Sequence, residues 1–253
     1  MSNTPPCVLS IAGFDPSGGA GILADVKTME QNGVYAFGAV SALTTQNDRE
    51  FFSVDWVEDD KIIDQIEVLF RRFLFRHVKI GLIRNVDSLR KILYYLHLCV
   101  KDPVIVFDPV LQASAGFIFH KPDNSGFANT NILEKIYCIT PNLPEANSIF
   151  GKDNLRQNML DASHICNIYL KGGHGDSDLV TDTLFTKGET YGLTAKKIEH
   201  GGKHGSGCVL SSAFTAQLAL GNTINLAAEK AFNYTNKFLA SNKTLLGTHK
   251  NIL

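Results

Sequence analysis

The chain has 253 residues, with 24 Lys and Arg against 25 Asp and Glu, so its formal net charge is −1. That balance excludes the basic face on which duplex nucleic-acid binders and polybasic membrane anchors depend. With 44% hydrophobic and 19% charged residues the chain reads as globular, no run reaches the roughly 18 apolar residues of a membrane span, and residues 1–6 lack the basic and apolar regions of a secretory signal.

Residues 7–12 form a short apolar run that reads as a buried strand. A glycine-rich loop from Gly13 to Gly21 follows. Ile22, Leu23, Val26 and Met29 then carry helical spacing, and Gly33 supplies a stop. Residues 37–45 read as a second strand that ends at Gln46-Asn47. Residues 60–74 predict an amphipathic helix, with Ile62, Ile66, Leu69 and Phe73 on one stripe. A strand at 77–83, a helix at 88–99 and a strand at 104–107 lead to Asp108-Pro109. Residues 136–140 and 168–171 are further strands, ending at Pro141-Asn142 and Gly172-Gly173. Residues 183–186 and 191–195 pair as a hairpin around Lys187-Gly188-Glu189. Helices at 209–220 and 224–239 complete the chain. Strands that alternate with helices predict an α/β fold with a mainly parallel central sheet. No linker, repeat or low-complexity run divides residues 1–253, so one domain is expected.

In such sheets ligands bind outside the carboxyl ends of the strands. Asp15, Gln46, Asn47, Asp108, Asn142, Glu145 and Lys171 all fall at that edge. Each is an ordinary turn or cap residue when taken alone. Their joint occurrence points to a site.

Gly205-Ser206-Gly207-Cys208 opens a helix. Free backbone N–H groups and the helix dipole there suit phosphate, or the charge of a phosphoryl transition state. A capped helix with a small buried cysteine is the competing reading. A thiol at that position is expected to have a lowered pKa. The loop from Gly13 to Gly21 is neither a Walker loop nor a dinucleotide fingerprint. The Gln46 amide offers a donor and an acceptor, which suits a heteroaromatic ring edge, although a Gln at a strand end is more often solvated. Asn142 and Glu145 lie within one helical turn. Glu145 has the chemistry to hold Mg²⁺ with its waters, and the same pair would serve as a helix cap. Lys171, at a buried strand end, needs an anionic partner: a nucleotide phosphate, Asp108 or Glu145. His174 and His204 read as polar loop residues, not metal ligands. The five cysteines, at 7, 99, 138, 166 and 208, are odd in number and widely spaced, as in reduced cytosolic proteins. Four of them read as packing, and Cys208 stands apart.

Eight segments in order resemble the hydroxymethylpyrimidine/phosphomethylpyrimidine kinases of thiamine biosynthesis, in the ribokinase-like superfamily. They are Gly13-Phe14-Asp15-Pro16-Ser17-Gly18-Gly19-Ala20-Gly21, Ala24-Asp25-Val26-Lys27-Thr28, Ala42-Leu43-Thr44-Thr45-Gln46-Asn47, Lys79-Ile80-Gly81-Leu82, Asp108-Pro109-Val110, Thr140-Pro141-Asn142-Leu143-Pro144-Glu145-Ala146, Leu170-Lys171-Gly172-Gly173-His174 and His204-Gly205-Ser206-Gly207-Cys208. The resemblance implies a three-layer α/β/α sandwich and a cytoplasmic homodimer. It implies two ATP-dependent phosphorylations, first of 4-amino-5-hydroxymethyl-2-methylpyrimidine and then of its monophosphate. Gln46 would hydrogen-bond the pyrimidine, with Gly13, Ala20, Asp25, Leu82 and Val110 around it. Cys208 would accept the substrate hydroxyl proton, and the amides of Gly205, Ser206, Gly207 and Cys208 would form the anion hole. Lys171 would approach the ATP phosphates. Asp108 would organise the metal and phosphate region, and Asn142 and Glu145 match the Mg²⁺-related motif.

The chain departs from the family pattern at several places. Leu82 replaces a usual Met, and Arg84 falls where a small residue is usual and is expected at the pocket rim. Residues 112–117 differ from the usual loop after Asp108, residues 151–164 are shorter than usual, and so is the tail after Gly247. Two alternatives follow, a pyridoxal kinase of the same superfamily and a catalytically silent pyrimidine-binding protein. A cysteine hydrolase built on Cys208 is weaker, because no histidine is forced by sequence to lie beside it.

Overall fold

The computed structural model describes residues 4–113, 115–120, 126–127, 129–172, 178–199 and 201–249. Among them nine strands form one sheet: β1 (Cys7–Phe14), β2 (Tyr35–Gln46), β3 (Phe51–Trp56), β4 (His77–Ile80), β5 (Val104–Phe107), β6 (Cys138–Ile139), β7 (Asn167–Leu170), β8 (Leu179–Thr186) and β9 (Glu189–Lys196). Their spatial order is β3-β2-β1-β4-β5-β6-β7-β8-β9. Pairing is parallel from β2 to β7 and antiparallel where β3, β8 and β9 extend the two edges.

The central strands β5 and β6 are apolar at every position because both of their faces are covered. In β5, Ile105 and Phe107 point to one layer and Val106 to the other. Helices α2 (Asp59–Phe70), α3 (Val86–Cys99), α4 (Thr130–Leu133), α5 (Leu143–Phe150) and α6 (Leu155–Ala162) lie over the first face, where Ile62, Leu93, Ile132, Ile149 and Met159 join Ile105 and Phe107 in one buried core. Helices α7 (Ser206–Ala219) and α8 (Ile224–Leu239) cover the second face through Val209, Phe214, Ala231 and Phe238. Helix α1 (Gly21–Gln31) packs there against α7, through Met29 and Ala216. Burying each large side chain contributes about 1.5–3 kcal/mol. These three layers are the expected α/β/α sandwich.

The predicted hairpin is present in β8 and β9. Lys187 and Gly188 both have positive φ, 50° and 78°, the geometry a two-residue turn between twisted strands requires. Strand β3 and helices α4 and α6 were not predicted. Phe51-Phe52-Ser53-Val54-Asp55-Trp56 lies at the sheet edge and is half-exposed along its length, so it shows neither an apolar run nor a clean alternation. The helix expected at 60–74 stops at Phe70. The strand expected at 77–83 stops at Ile80, because Gly81 and Leu82 turn out at the carboxyl edge.

Candidate active site

A cavity of about 570 Å³ opens at the carboxyl edge of the parallel strands. Two glycine loops meet along one side of it. Gly21 has φ +58° and a Cβ there would lie 2.2 Å from the Gly13 carbonyl oxygen; Gly205 has φ +74° and a Cβ would lie 2.0 Å from the Gly19 oxygen. Only residues without a side chain allow that approach. Asp15 ties the loops together. Its carboxylate accepts from the N–H groups of Ser17 and Ala20 and from the Ser17 hydroxyl, and His204 Nε2 lies 2.8 Å from Oδ2. Burial opposes the Asp15 charge, yet His204 and the Ser17 and Ala20 donors hold its pKa below the ordinary carboxylate value.

Gly205 caps α7. First-turn N–H groups of a helix lack intrahelical partners, and the residues that carry them, Ser206, Gly207 and Cys208, line the cavity. The Lys171 ammonium lies against this turn, since a Cβ on Gly207 would be 3.3 Å from its Nζ. Lys171 Nζ donates to Asp108 Oδ1 at 2.7 Å and lies 3.6 Å from Glu145 Oε2. Thr140 and Ser211 hydroxyls also donate to Asp108. Burial opposes the charge of both partners, but Asp108 and Glu145 raise the Lys171 pKa, while Lys171 and Lys79 lower that of Asp108. At Glu145 burial prevails and the pKa rises, assisted by Asp108 and opposed by Lys171.

Asn142 and Glu145 form a reciprocal helix cap. Asn142 Oδ1 accepts from the Glu145 N–H at 2.9 Å, and Glu145 Oε2 accepts from the Asn142 N–H at 2.8 Å. The capping reading and the site reading therefore both hold in position, because the same two residues line the cavity. Among the described residues no group of three or more His, Cys, Asp or Glu forms a metal cage. The available donors are two carboxylates, Asp108 and Glu145, both within reach of Lys171. That set suits Mg²⁺ carried by a nucleotide, which keeps several waters and uses few protein carboxylates.

Gln46, Gly13, Ala20, Leu82 and Val110 line the same cavity as Lys171, Asp108 and the helix start at Gly205–Cys208. Gln46 Nε2 donates to Thr44 Oγ1 at 2.8 Å, which holds the amide at the wall. Asp15 and Asn47, both read at this edge, do not line the cavity, and neither does Asp25. It is fully buried beneath the floor, where both of its oxygens accept from Lys79 Nζ at 2.9 and 2.8 Å. Ser10 and Ser212 hydroxyls donate to it as well. Lys79 itself reaches the cavity wall. Burial alone would lower the Lys79 pKa, but Asp25 foremost raises it.

Three expectations are corrected. The Cys208 thiol is pushed up to about 11, not lowered, because enclosure by protein outweighs the neighbouring Lys79 cation, and Asp25 and Asp108 add to the rise. Arg84 does not line the cavity; it pairs with Glu58 and Asp59 at 3.2 and 3.1 Å on the outside. His204 is no simple loop residue, since it is buried and joined to Asp15 across 189 positions. No sequence signal links those two. A signal did exist for Lys79, a lysine inside an otherwise apolar strand that must find a buried partner. Ser114, Gly173 and His174 lie outside the described residues.

A family model described as Phosphomethylpyrimidine kinase matches residues 15–252. The chain belongs to the phosphomethylpyrimidine kinase family. It is 31% identical to a hydroxymethylpyrimidine/phosphomethylpyrimidine kinase of Staphylococcus aureus (strain Mu50 / ATCC 700699), over 90% of this chain and 85% of that one. The crystal structure of phosphomethylpyrimidine kinase from Clostridium difficile 630 covers 92% of this chain and 98% of its own, with 31% identity and a TM-score of 0.77. The Staphylococcus aureus pyridoxal kinase in complex with ADP covers 94% of this chain and 89% of its own, with 26% identity and a TM-score of 0.81. The phosphomethylpyrimidine kinase family accounts for the architecture, a ribokinase-like sandwich, and for the enzyme class, a kinase. Among the described residues no helix is long and apolar enough to cross a membrane.

Proposed function

We propose that this kinase phosphorylates 4-amino-5-hydroxymethyl-2-methylpyrimidine with ATP, and then its monophosphate to the diphosphate, as a step of thiamine biosynthesis. The observation that carries this reading is the convergence of the Gln46 amide, the helix start at Gly205–Cys208 and the Lys171–Asp108 pair on one cavity in a chain of this family. Gln46 takes the ring edge with its donor and acceptor, and Gly13, Ala20, Leu82 and Val110 enclose the ring. Asp25 acts from below, through Lys79. The substrate hydroxyl then faces the turn where Gly205, Ser206, Gly207 and Cys208 supply backbone donors to the transferring phosphoryl group.

Cys208 takes the hydroxyl proton as the oxygen attacks the γ-phosphorus. Its raised pKa means that the resting group is a thiol, so this role requires the minor thiolate form, and its share grows with pH. Lys171 neutralises phosphate charge, with Asp108 holding it in place. Asn142 and Glu145 keep the start of α5 fixed, and Glu145 and Asp108 would hold Mg²⁺ through its waters. The ion, when bound, supplies charge neutralisation to the nucleotide phosphates. We further take residues 1–253 as one kinase domain, a cytoplasmic homodimer whose five thiols are reduced; all five are free in the fold.

The test is ADP release with the pyrimidine alcohol, its monophosphate and pyridoxal in parallel. Turnover of both pyrimidines above pyridoxal is the expected result, and no turnover of either pyrimidine overturns the reading. The likeness to a pyridoxal kinase bound to ADP favours pyridoxal as the second candidate substrate, so faster turnover of pyridoxal would reassign the protein. Thermal stabilisation by the pyrimidine without ADP release would mark a silent binding protein.

A further inference from the structure

Beside Gln46 the cavity is walled by a short hairpin that carries no buried ion pair among its described residues. Gln112 and Ile118 bridge in antiparallel fashion. Ala113 N–H donates to the Phe117 carbonyl at 2.8 Å, Phe119 N–H to the Leu111 carbonyl at 2.9 Å, and Gln112 Nε2 to the Gly116 carbonyl at 2.9 Å. Phe119 and Ile118 line the cavity. The hairpin rests on β3 through aromatic rings. Phe117 stacks on Phe51 with centroids 4.5 Å apart. Phe119 meets Phe51 edge-on at 5.2 Å and Trp56 at 6.3 Å. In the β2–β3 ladder, Phe51 is the register partner of Gln46. The ring on which the hairpin lands is thus fixed directly across from the amide assigned to the substrate.

We propose that Phe51, Phe117 and Phe119 are positioning residues that latch this hairpin as the apolar wall of the pyrimidine pocket, so that latching and ring binding beside Gln46 are thermodynamically linked. The proposal rests on the pyrimidine reading above. The latch is apolar because a flat neutral heteroaromatic ring gains from aromatic and aliphatic walls, while the rings at 51, 117 and 119 themselves need not touch phosphate. A ligand that favours the latched form draws on the free energy of the ring contacts, and loss of one contact weakens ligand binding in proportion to the fall in the latched population.

Steady-state kinetics and emission from Trp56, the chain's one tryptophan, test this. Phe117→Ala and Phe51→Ala each raise the pyrimidine KM about three- to tenfold, the size of one aromatic pair, with kcat and the ATP KM within about twofold, the pattern of lost ground-state binding. Phe117→Tyr keeps the stack and the KM of the unaltered enzyme. In Phe117→Ala the emission of Trp56 shifts to the red, and the pyrimidine alcohol without ATP reverses the shift. A pyrimidine KM within twofold in both alanine variants overturns the latch, as does an equal rise in the ATP KM, which is general damage. Trp56 emission that the pyrimidine leaves unmoved in Phe117→Ala overturns it as well. In those cases the unaltered enzyme still turns over pyrimidine; absence of that turnover overturns the substrate reading, and the latch with it.

Discussion

At the carboxyl ends of β4, β5 and β7 the cavity rests on buried ion pairs, Lys79 with Asp25 and Lys171 with Asp108. At the hairpin after β5 it is walled by Ile118 and Phe119, backed by Phe51 and Phe117, rings that keep part of their surface exposed. The two regions solve different problems. A charge that must act on phosphate has to be fixed before the reaction, since moving dipoles into place during it would cost the advantage. Buried charges are tolerable only when paired and hydrogen-bonded, so the floor is built on central strands and saturated with Ser and Thr donors. The wall handles an apolar ring face, which needs area and shape but little direction. It can therefore stand on a two-strand hairpin and a sheet edge.

If that contrast is right, changes in the floor should cost kcat and stability, and changes in the wall should cost pyrimidine KM alone. The largest effect is expected for Cys208→Ala, with kcat lower by about 10²–10⁴ if the thiolate takes the proton and pyrimidine KM within about twofold; equal kcat would reduce the thiol to packing. Next is Lys79→Met. Removing one partner of a fully buried pair leaves Asp25 uncompensated and costs about 3–5 kcal/mol in denaturant unfolding. The double variant Lys79→Met with Asp25→Asn should recover most of that loss, and no recovery would mean that packing, not charge, holds the floor.

Two pH effects are smaller. The thiolate share of Cys208 rises with pH up to about 11, so kcat should climb through the neutral range and Cys208→Ala should lose that slope. Stability should move in the acid range. Burial holds His77 and His249 at a pKa of about 4 against an ordinary 6.5. The unfolded chain then binds more protons between those values, and stability falls as pH falls from about 6.5 to about 4. Urea midpoints at pH 7 and pH 5 would measure it, and His77→Asn should flatten the difference. The smallest effect is Arg84→Ala. Its ion pairs lie outside the cavity; Glu58 faces solvent, and the buried Asp59 keeps Lys91 and the Ser88 hydroxyl when Arg84 is removed, so about 1 kcal/mol or less is expected, with unchanged KM for both substrates. A raised pyrimidine KM would return Arg84 to the pocket rim.

Much of the site could be read from the chain, for a physical reason. In a parallel sheet every strand ends on the same side, so polar residues that follow apolar runs must gather there. That placed Gly13, Gln46, Asp108, Asn142, Glu145 and Lys171 around one cavity without any knowledge of long-range contacts. The glycine positions were legible too, since Gly21 and Gly205 lie where backbone approaches backbone. Strand β3 was not legible. Its residues are half-exposed at an edge and satisfy no period, and pairing with β2 is what makes them a strand.

Local pattern alone determined most of the strand and helix order, the α/β class, the edge that holds the site and the place of Gln46, Asp108, Asn142, Glu145 and Lys171 around it. These depend on runs of neighbours and on spacing within one element. Tertiary structure alone decided the sign of the Cys208 pKa shift, the outward turn of Arg84, the place of Asp25 under the floor and the union of His204 with Asp15. Each of those depends on burial and on a charge or donor brought from another element, across 54 positions for Asp25 and Lys79 and 189 for Asp15 and His204. Electrostatic energy depends on distance and desolvation in space, and neither is a property of sequence spacing.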